Sequence, residues 1–200
     1  LHILAGRTKS ILTLILAGVA LSSLAGALTS LALNLSSDPW AVLEIVFWLM
    51  GSLTDRSMIH VELAAPFIIA GYILLLLSGR ALDGLSLGED VAHSLGINLN
   101  RTRLLITVGT AASVGAATAV AGAVGFVGLI VPHLLRPLVG GRPAKLLPAS
   151  MLGGACFILL ADIVVREVLP GKDLKLGVVT ALVGVPFFLW LLMKSRRYGR

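Results

Sequence analysis

The sequence has few charged residues and almost no cysteine. Charged side chains make up 13% of the 200 residues, 57% are hydrophobic, and the mean hydropathy is +0.98. This composition excludes both an ordinary soluble domain and a disordered chain. Cys156 is the single cysteine, so no disulfide can form within these residues. Together these properties predict an all-α polytopic membrane protein, with residues 1–200 forming one transmembrane domain.

Two common enzyme signatures are also absent. The sequence contains no Gly-x-x-x-x-Gly-Lys-Ser/Thr phosphate loop and no His-Glu-x-x-His zinc helix, and no two histidines lie four residues apart. We therefore predict no catalytic residue, no metal site and no ATP hydrolysis by this chain. An intramembrane enzyme, the weakest alternative, would have only His133 or Cys156 as its reactive group.

Long stretches without charge predict the membrane spans. They cover residues 10–37, 63–79, 104–135, 146–161 and 176–193. The third stretch would measure about 48 Å as one helix, which is too long for one crossing and too short for two. Glycines at Gly122 and Gly125 predict a turn there, with a second limb continuing through Pro132 to about Val139. The result is six membrane segments, one of them short.

A further apolar stretch, residues 41–53, is too short to span a bilayer. Trp40 precedes this stretch and Trp48 lies within it, and tryptophan is enriched at membrane interfaces. We expect an interfacial helix here.

Basic residues fall unequally on the two sides of this six-segment topology. One side has twelve: Arg7, Lys9, Arg80, Arg101, Arg103, Arg136, Arg142, Lys145, Lys194, Arg196, Arg197 and Arg200. The other has four: Arg56, Arg166, Lys172 and Lys175. By the positive-inside rule both ends of the chain are cytoplasmic, and the net charge of +6 needs no nucleic-acid partner.

The loop at residues 80–103 is the longest cytoplasmic segment. Ser86 can cap a short helix whose first turn holds Glu89 and Asp90, and Gly96 can end it. The side chains expected to face a partner are Val91, Ala92 and Leu95. A loop of this length with its own helix favours a docking element, and the alternative is a solvated connector.

Small residues recur every four positions in two of the spans. Gly18, Ser22, Gly26 and Ser30 do so in the first, and Ala111, Gly115 and Ala119 in the third. This spacing favours close helix packing over a ligand groove.

Asp162 is the one carboxylate inside a predicted span. Arg166 follows four residues later, so a local ion pair on one helix face is favoured. The alternative is a proton-coupled secondary carrier that uses Asp162.

The segment Gly122–Arg136, with the sequence GAVGFVGLIVPHLLR, resembles the signature of the permease subunits of type II ABC importers for iron-siderophore, haem and cobalamin uptake. Leu147-Pro148, residues 160–166 and residues 176–188 resemble the same family in the same order. The matching motif residues are Gly125, Gly128, Pro132, His133, Arg136, Asp162, Gly177 and Pro186. The sequence differs from the family's pattern at Lys175-Leu176-Gly177, where the family usually has a proline before the glycine.

Family members have about ten spans, and this chain resembles their last six. Because it also begins at Leu1 rather than Met, we expect the C-terminal part of a longer permease. The resemblance implies a homodimer in the plasma membrane of a prokaryote, which is the inner membrane in a Gram-negative cell. It further implies two cytoplasmic ATPases, which hold ATP and Mg, and an extracytoplasmic binding protein. The chain itself would carry no cofactor.

The resemblance also assigns residues to roles. The ATPase-coupling loop maps onto Gly88, Glu89, Asp90, Ala92, Leu95 and Gly96. Arg166 matches an arginine that docks the binding protein. The first span matches a pathway-lining helix, which makes Gly18, Ser22 and Gly26 pathway candidates. The cargo implied is a ferric-siderophore or haem chelate, with cobalamin as the alternative.

Overall fold

The computed structural model describes residues 11–168 and 174–198, and within these ranges the regular secondary structure is entirely helical. In chain order the helices are α1 (Ile11–Leu35), α2 (Pro39–Met50), α3 (Met58–Leu77), α4 (Gly79–Leu85), α5 (Glu89–Ser94), α6 (Leu99–Ala121), α7 (Val127–Leu135), α8 (Pro143–Val168) and α9 (Leu176–Tyr198). The predicted all-α fold class is confirmed. The chain divides into two compact units, Leu1–Val46 and Phe47–Arg200.

All six predicted membrane segments are helical, as α1, α3, α6, α7, α8 and α9. Within the described ranges, four stretches are long and apolar enough to cross a membrane: Ile15–Leu35, Met58–Leu77, Leu99–Ala121 and Pro143–Glu167. The apolar part of α9, Leu176–Leu191, is shorter, and α7 has nine residues. Crossing by these last two segments stays a prediction.

The first unit contains α1 and the beginning of α2. Pro39 opens α2, and the Asp38 carboxylate accepts a hydrogen bond from the Trp40 amide at 2.9 Å. Both features are typical of helix starts, since proline needs no amide partner there and an aspartate satisfies a free N–H. The predicted short helix is therefore confirmed at residues 39–50, and its place at a membrane interface stays a prediction.

The most extensive helix packing in the second unit is between α3 and α6. A Cβ added at Gly71 would lie 2.6 Å from the Gly109 carbonyl oxygen and 2.9 Å from Ser113. Gly71, Gly109 and Ser113 are all buried, and the Ser113 hydroxyl donates to the Gly109 carbonyl at 2.8 Å. Membrane helices approach this closely only where side chains are small, because packing and polar contacts replace the hydrophobic effect.

The ridge predicted at Ala111, Gly115 and Ala119 makes no comparably close contact among the described residues, so tight packing there stays a prediction. A Cβ at Gly115 would meet no described atom within 4 Å, and the three residues line an open groove of about 340 Å³.

The turn predicted inside the third tract is confirmed. Helix α6 ends at Ala121, Gly122 has φ +74°, and Phe126 has φ +66° before α7 begins. A side chain at Gly122 would overlap the Trp48 carbonyl oxygen. Helix α7 ends at Leu135, short of the predicted end near Val139, because Pro137 has no amide proton to continue the helical hydrogen bonds.

Helices α7, α8 and α9 pack against one another. A Cβ at Gly153 of α8 would lie 2.6 Å from Leu135 of α7, and one at Gly184 of α9 would overlap the Phe126 side chain. These close approaches fix the short α7 between its neighbours. Helix α8 extends beyond the predicted 146–161 tract at both ends, because its first and last turns accept charged residues.

Candidate functional site

The predicted coupling segment forms two short helices, α4 and α5. Helix α5 begins at Glu89, with Glu89 and Asp90 in its first turn, and Gly96 with φ +75° follows its end, as predicted. Its N-cap is Gly88, whose φ of +113° and ψ of 153° are open only to glycine. The prediction that Ser86 caps α5 is wrong. Ser86 ends α4, which the sequence did not reveal, and its hydroxyl donates to the Asp83 carbonyl at 2.6 Å.

Ser86 also stands in a Gly-x-Ser-x-Gly pattern, Gly84-Leu85-Ser86-Leu87-Gly88, which in hydrolases marks a nucleophile between a strand and a helix. Here the serine follows a helix, and no histidine hydrogen-bonds to it among the described residues. The surroundings of Ser86 therefore differ from those of a hydrolase nucleophile.

One residue of the predicted docking face points inward. Ala92 has no exposed surface, whereas Val91 is 43% exposed and Leu95 is 63% exposed. Ala92 packs against α4 at Gly84, where an added side chain would overlap Ile97. Ala92 is thus unavailable to a partner, contrary to the prediction, because it forms the small core that holds α4 and α5 together.

An ion pair ties α5 to the beginning of α6. The Arg103 guanidinium donates to the Glu89 carboxylate at 2.8 Å. Asp90 is exposed, and its carboxylate has no ion-pair partner among the side chains that the structure describes. Asp90, Val91 and the C-cap residue Leu95 are therefore accessible, together with the exposed His93 and Ser94.

A longer connection joins α4 to α8. The Asp83 carboxylate accepts a hydrogen bond from the Ala144 amide at 2.8 Å, across 61 residues of sequence. Pro143 is the first residue of α8, and the preceding Arg142 has no side-chain acceptor to cap it. Asp83 supplies that acceptor, together with a negative charge at the positive end of the helix. The proline predicts a helix start, but nothing local in the sequence points to Asp83.

A cleft of about 500 Å³ lies between the α3–α4 junction and the beginning of α6. Arg80 and Arg101 line it together with apolar residues that include Leu77, Leu95 and Leu105, and its lining contains no carboxylate. Neither arginine forms an ion pair with a described carboxylate. The cleft can accept an acidic group beside the exposed Leu95.

The other end of α8 carries the predicted Asp162–Arg166 pair. The two side chains form an ion pair of 2.8 Å, with Asp162 17% exposed and Arg166 55% exposed. The local pair is confirmed. Arg166 still presents more than half its surface, so pairing and docking of a partner are compatible.

Three loops are joined by backbone hydrogen bonds where α2 ends, α6 ends and α9 begins. The Ala123 amide donates to Trp48 at 3.0 Å, and the Gly177 amide donates to Gly51 at 3.3 Å. A side chain at Gly177 would overlap the Met50 carbonyl, which explains the glycine of that motif. Lys175 belongs to the stretch in which this chain differs from the usual family motif. Its ammonium lies 4.5 Å from the Phe47 ring centroid and makes a cation–π contact.

The remaining motif residues lie on the surface or inside helices. Gly125 and Gly128 have open space around them and ordinary φ values, so nothing described requires glycine there. Pro132 and Pro186 lie within α7 and α9, and Arg136 is exposed at the end of α7. His133 is exposed and makes an edge-on contact of 6.0 Å with Phe187.

The pathway candidates Gly18, Ser22 and Gly26 lie on α1, and no described atom would be within 4 Å of a Cβ at either glycine. Cys156 is exposed on α8. In the described part of the chain, no three His, Cys, Asp or Glu residues come together as a metal site.

The profile of the FecCD transport family matches residues 1–194. The chain belongs to this family. The resemblance inferred from the Gly122–Arg136 segment is confirmed, and with its apolar helices the chain is a multi-pass membrane protein.

Named relatives and a solved structure agree with this assignment. The chain is 39% identical over 183 residues to the hemin transport system permease protein HmuU of Yersinia pestis, covering 92% of this chain and 54% of that protein. It is 41% identical over 182 residues to the vitamin B12 import system permease protein BtuC of Vibrio cholerae, covering 91% and 54%. The chain therefore spans about half the length of these relatives.

A solved structure described as an inward-facing conformation of a metal-chelate type ABC transporter matches with a TM-score of 0.80 and 40% identity. The match covers 93% of this chain and 60% of that one. The helical arrangement is therefore similar to that of this transporter.

Proposed function

We propose that this FecCD-family chain is the membrane-spanning permease of an ABC importer and forms part of the pathway for a ferric-siderophore or haem chelate. ATP hydrolysis takes place in a separate ATPase, which holds the ATP and Mg. The observation that carries this proposal is the coupling segment of residues 79–96. It is held to α6 and α8 by side-chain bonds while it exposes Asp90, Val91 and Leu95.

The ATPase binds the exposed face of α5. A six-residue helix with two exposed apolar side chains buries too little surface to form a stable interface alone, so neighbouring groups contribute. Arg80 and Arg101 in the adjacent cleft supply positive charge for acidic side chains of the ATPase. The docking site thus combines an apolar centre with a basic edge.

The complete importer contains two permease copies, two ATPases and an extracytoplasmic binding protein. Arg166 at the end of α8 attracts acidic side chains of the binding protein and mainly raises the rate of encounter. The chain lies in the plasma membrane of a prokaryote with both ends cytoplasmic, as the twelve-to-four division of basic residues supports.

The identity of the transported chelate is a separate part of the proposal. HmuU is named for hemin and BtuC for vitamin B12, and both are similar to this chain at nearly equal identity. Cobalamin is therefore the alternative cargo.

The secondary-carrier alternative rests on Asp162. Its carboxylate is already paired with the Arg166 guanidinium, four residues away on the same helix face, which is the arrangement expected of a local structural contact. The geometry therefore favours the importer.

Co-purification tests the proposed function. The natural protein, in its full length, is expressed with its ATPase and purified in a mild detergent. We expect the ATPase to remain bound to the wild type and to be lost from Leu95→Glu, which places a charge on the docking face. Asn100→Glu is the matched control, because Asn100 is exposed near the same loop but lies outside α5. Absence of any bound ATPase from the wild type would overturn the proposal.

A further inference from the structure

The beginning of α8 depends on a residue outside that helix. Pro143 and Ala144 form its first turn, and Pro148 lies in its second. Because proline has no amide proton, Pro148 cannot donate the usual helical hydrogen bond to the Ala144 carbonyl. The first turn is therefore weakly held by its own backbone, and the Asp83 carboxylate at 2.8 Å from the Ala144 amide supplies a bond from α4.

Helix α4 lies directly against this turn. Gly79 and Asp83 are four residues apart, on one face of α4. A Cβ at Gly79 would lie 3.4 Å from the Ala144 Cα, so the backbones of the two helices are in contact. Asp83, one turn later on that face, hydrogen-bonds to the same residue of α8.

The segment proposed to dock the ATPase packs closely against α4. Ala92 of α5 is fully buried, and Gly84 of α4 leaves no room for a side chain beside Ile97. The Ile97 amide also donates to the Ala92 carbonyl at 3.0 Å. A movement of α5 must therefore carry α4 with it.

Helix α8 runs from this contact towards the other predicted docking residue. It has 26 residues, and Asp162 lies 18 residues beyond Ala144, about 27 Å along the axis. One helix thus connects the position bonded to Asp83 with the Asp162–Arg166 pair.

We propose that Asp83 is a positioning residue that couples the ATPase-binding segment to α8. Through its bond to Ala144, displacement of α4 and α5 by the ATPase moves the beginning of α8, and with it the helix that carries Arg166. This inference rests on the proposed function. Breaking the Asp83 bond leaves both partners able to bind while it reduces the transport obtained per ATP hydrolysed.

The test compares Asp83→Ala, which removes the acceptor, with Asp83→Asn, which keeps an oxygen acceptor and loses only the charge. The full importer is reconstituted in proteoliposomes, and uptake and ATP hydrolysis are measured together. Loss of a helix cap weakens a helix by about 1 kcal/mol, which corresponds to roughly a fivefold change in an equilibrium constant. We expect Asp83→Ala to lower uptake per ATP about fivefold, while Asp83→Asn retains most of it.

Glu62→Ala is the matched control, because it removes an exposed carboxylate on α3, outside the docking segment, that has no ion-pair partner in the described part of the chain. We expect it to leave uptake per ATP near the wild-type value in every complex that retains its ATPase. Asp83→Ser keeps a hydroxyl that is too short to reach the Ala144 amide. It replaces Asp83→Ala if the alanine variant does not fold, and the same fall is expected.

Amide hydrogen exchange separates this inference from the proposed function, because it needs only the purified permease. Asp83→Ala should raise exchange at residues 144–147, whatever the protein transports. Unchanged exchange there would show that Asp83 does not cap α8 and would overturn the inference. Faster exchange with unchanged uptake per ATP would also overturn it, because Asp83 would then only stabilise the helix.

Discussion

The Glu89 carboxylate of α5 and the Arg103 guanidinium of α6 form an ion pair of 2.8 Å. Their side chains are 58% and 33% exposed, so solvent screens the pair and it contributes at most about 1 kcal/mol to folding. Its main effect is on orientation, because α5 has only six residues and needs such contacts to keep one position. The pair therefore adds little stability, but it orients the docking face of α5.

Reversing one charge of this pair should displace α5. Glu89→Arg places two guanidinium groups together, and we expect less ATPase to be retained during purification. The double variant Glu89→Arg with Arg103→Glu restores opposite charges and should restore retention. Quantitative pull-down measures this. Equal loss in the single and double variants would show that Glu89 contacts the ATPase itself rather than orienting α5.

The α3–α6 crossing should tolerate no added bulk. Gly71→Leu would force a side chain into the Gly109 carbonyl and Ser113, and overpacking of this kind destabilises proteins by about 1–3 kcal/mol. Gly115→Ala, which enters open space on the same pair of helices, should change stability by less than about 0.5 kcal/mol. Thermal unfolding of the detergent-solubilised protein distinguishes them. Equal effects would contradict the crossing.

The capping glycine of α5 should resist substitution. At φ +113° and ψ 153°, Gly88→Ala should strain the backbone by about 1–3 kcal/mol and displace α5. Gly125→Ala is the comparison, since its φ is ordinary and its surroundings are open. Thermal unfolding measures the strain, and ATPase retention during purification measures the displacement of α5. A Gly88→Ala variant that retains wild-type stability and binding would contradict this geometry.

Arg166 should steer the binding protein. We expect Arg166→Glu to slow association more at low than at high ionic strength, because salt screens charges on exposed surfaces. Asp162→Asn should not slow association, since it releases Arg166 from its partner. Stopped-flow binding at two salt concentrations measures both variants. A slower rate that does not depend on salt would argue against steering.

The sequence predicted features that depend on length and on the nearest few residues. The fold-back at Gly122 followed from a tract too long for one span, and the Asp162–Arg166 pair followed from spacing on one helix. Both features depend on residues that are close together in the sequence.

Features decided by distant parts of the chain were missed. Ser86 and Gly88 are both reasonable caps, and only the φ of +113° at Gly88 decides between them. Ala92 was assigned to the docking face, but Gly84 and Ile97 enclose it. The partner of Asp83 lies 61 residues away, so no periodicity reveals it.

Uptake by proteoliposomes tests the central claim most directly. The permease is reconstituted with its ATPase, ATP is supplied at the face where the ATPase binds, and ferric-siderophore, haem and cobalamin are offered through the binding protein. We predict uptake of one of these cargoes that requires ATP, is lost with Leu95→Glu, and persists after a protonophore removes the proton gradient. Uptake that continues without the ATPase and stops with the protonophore would contradict the importer and favour a carrier that uses Asp162.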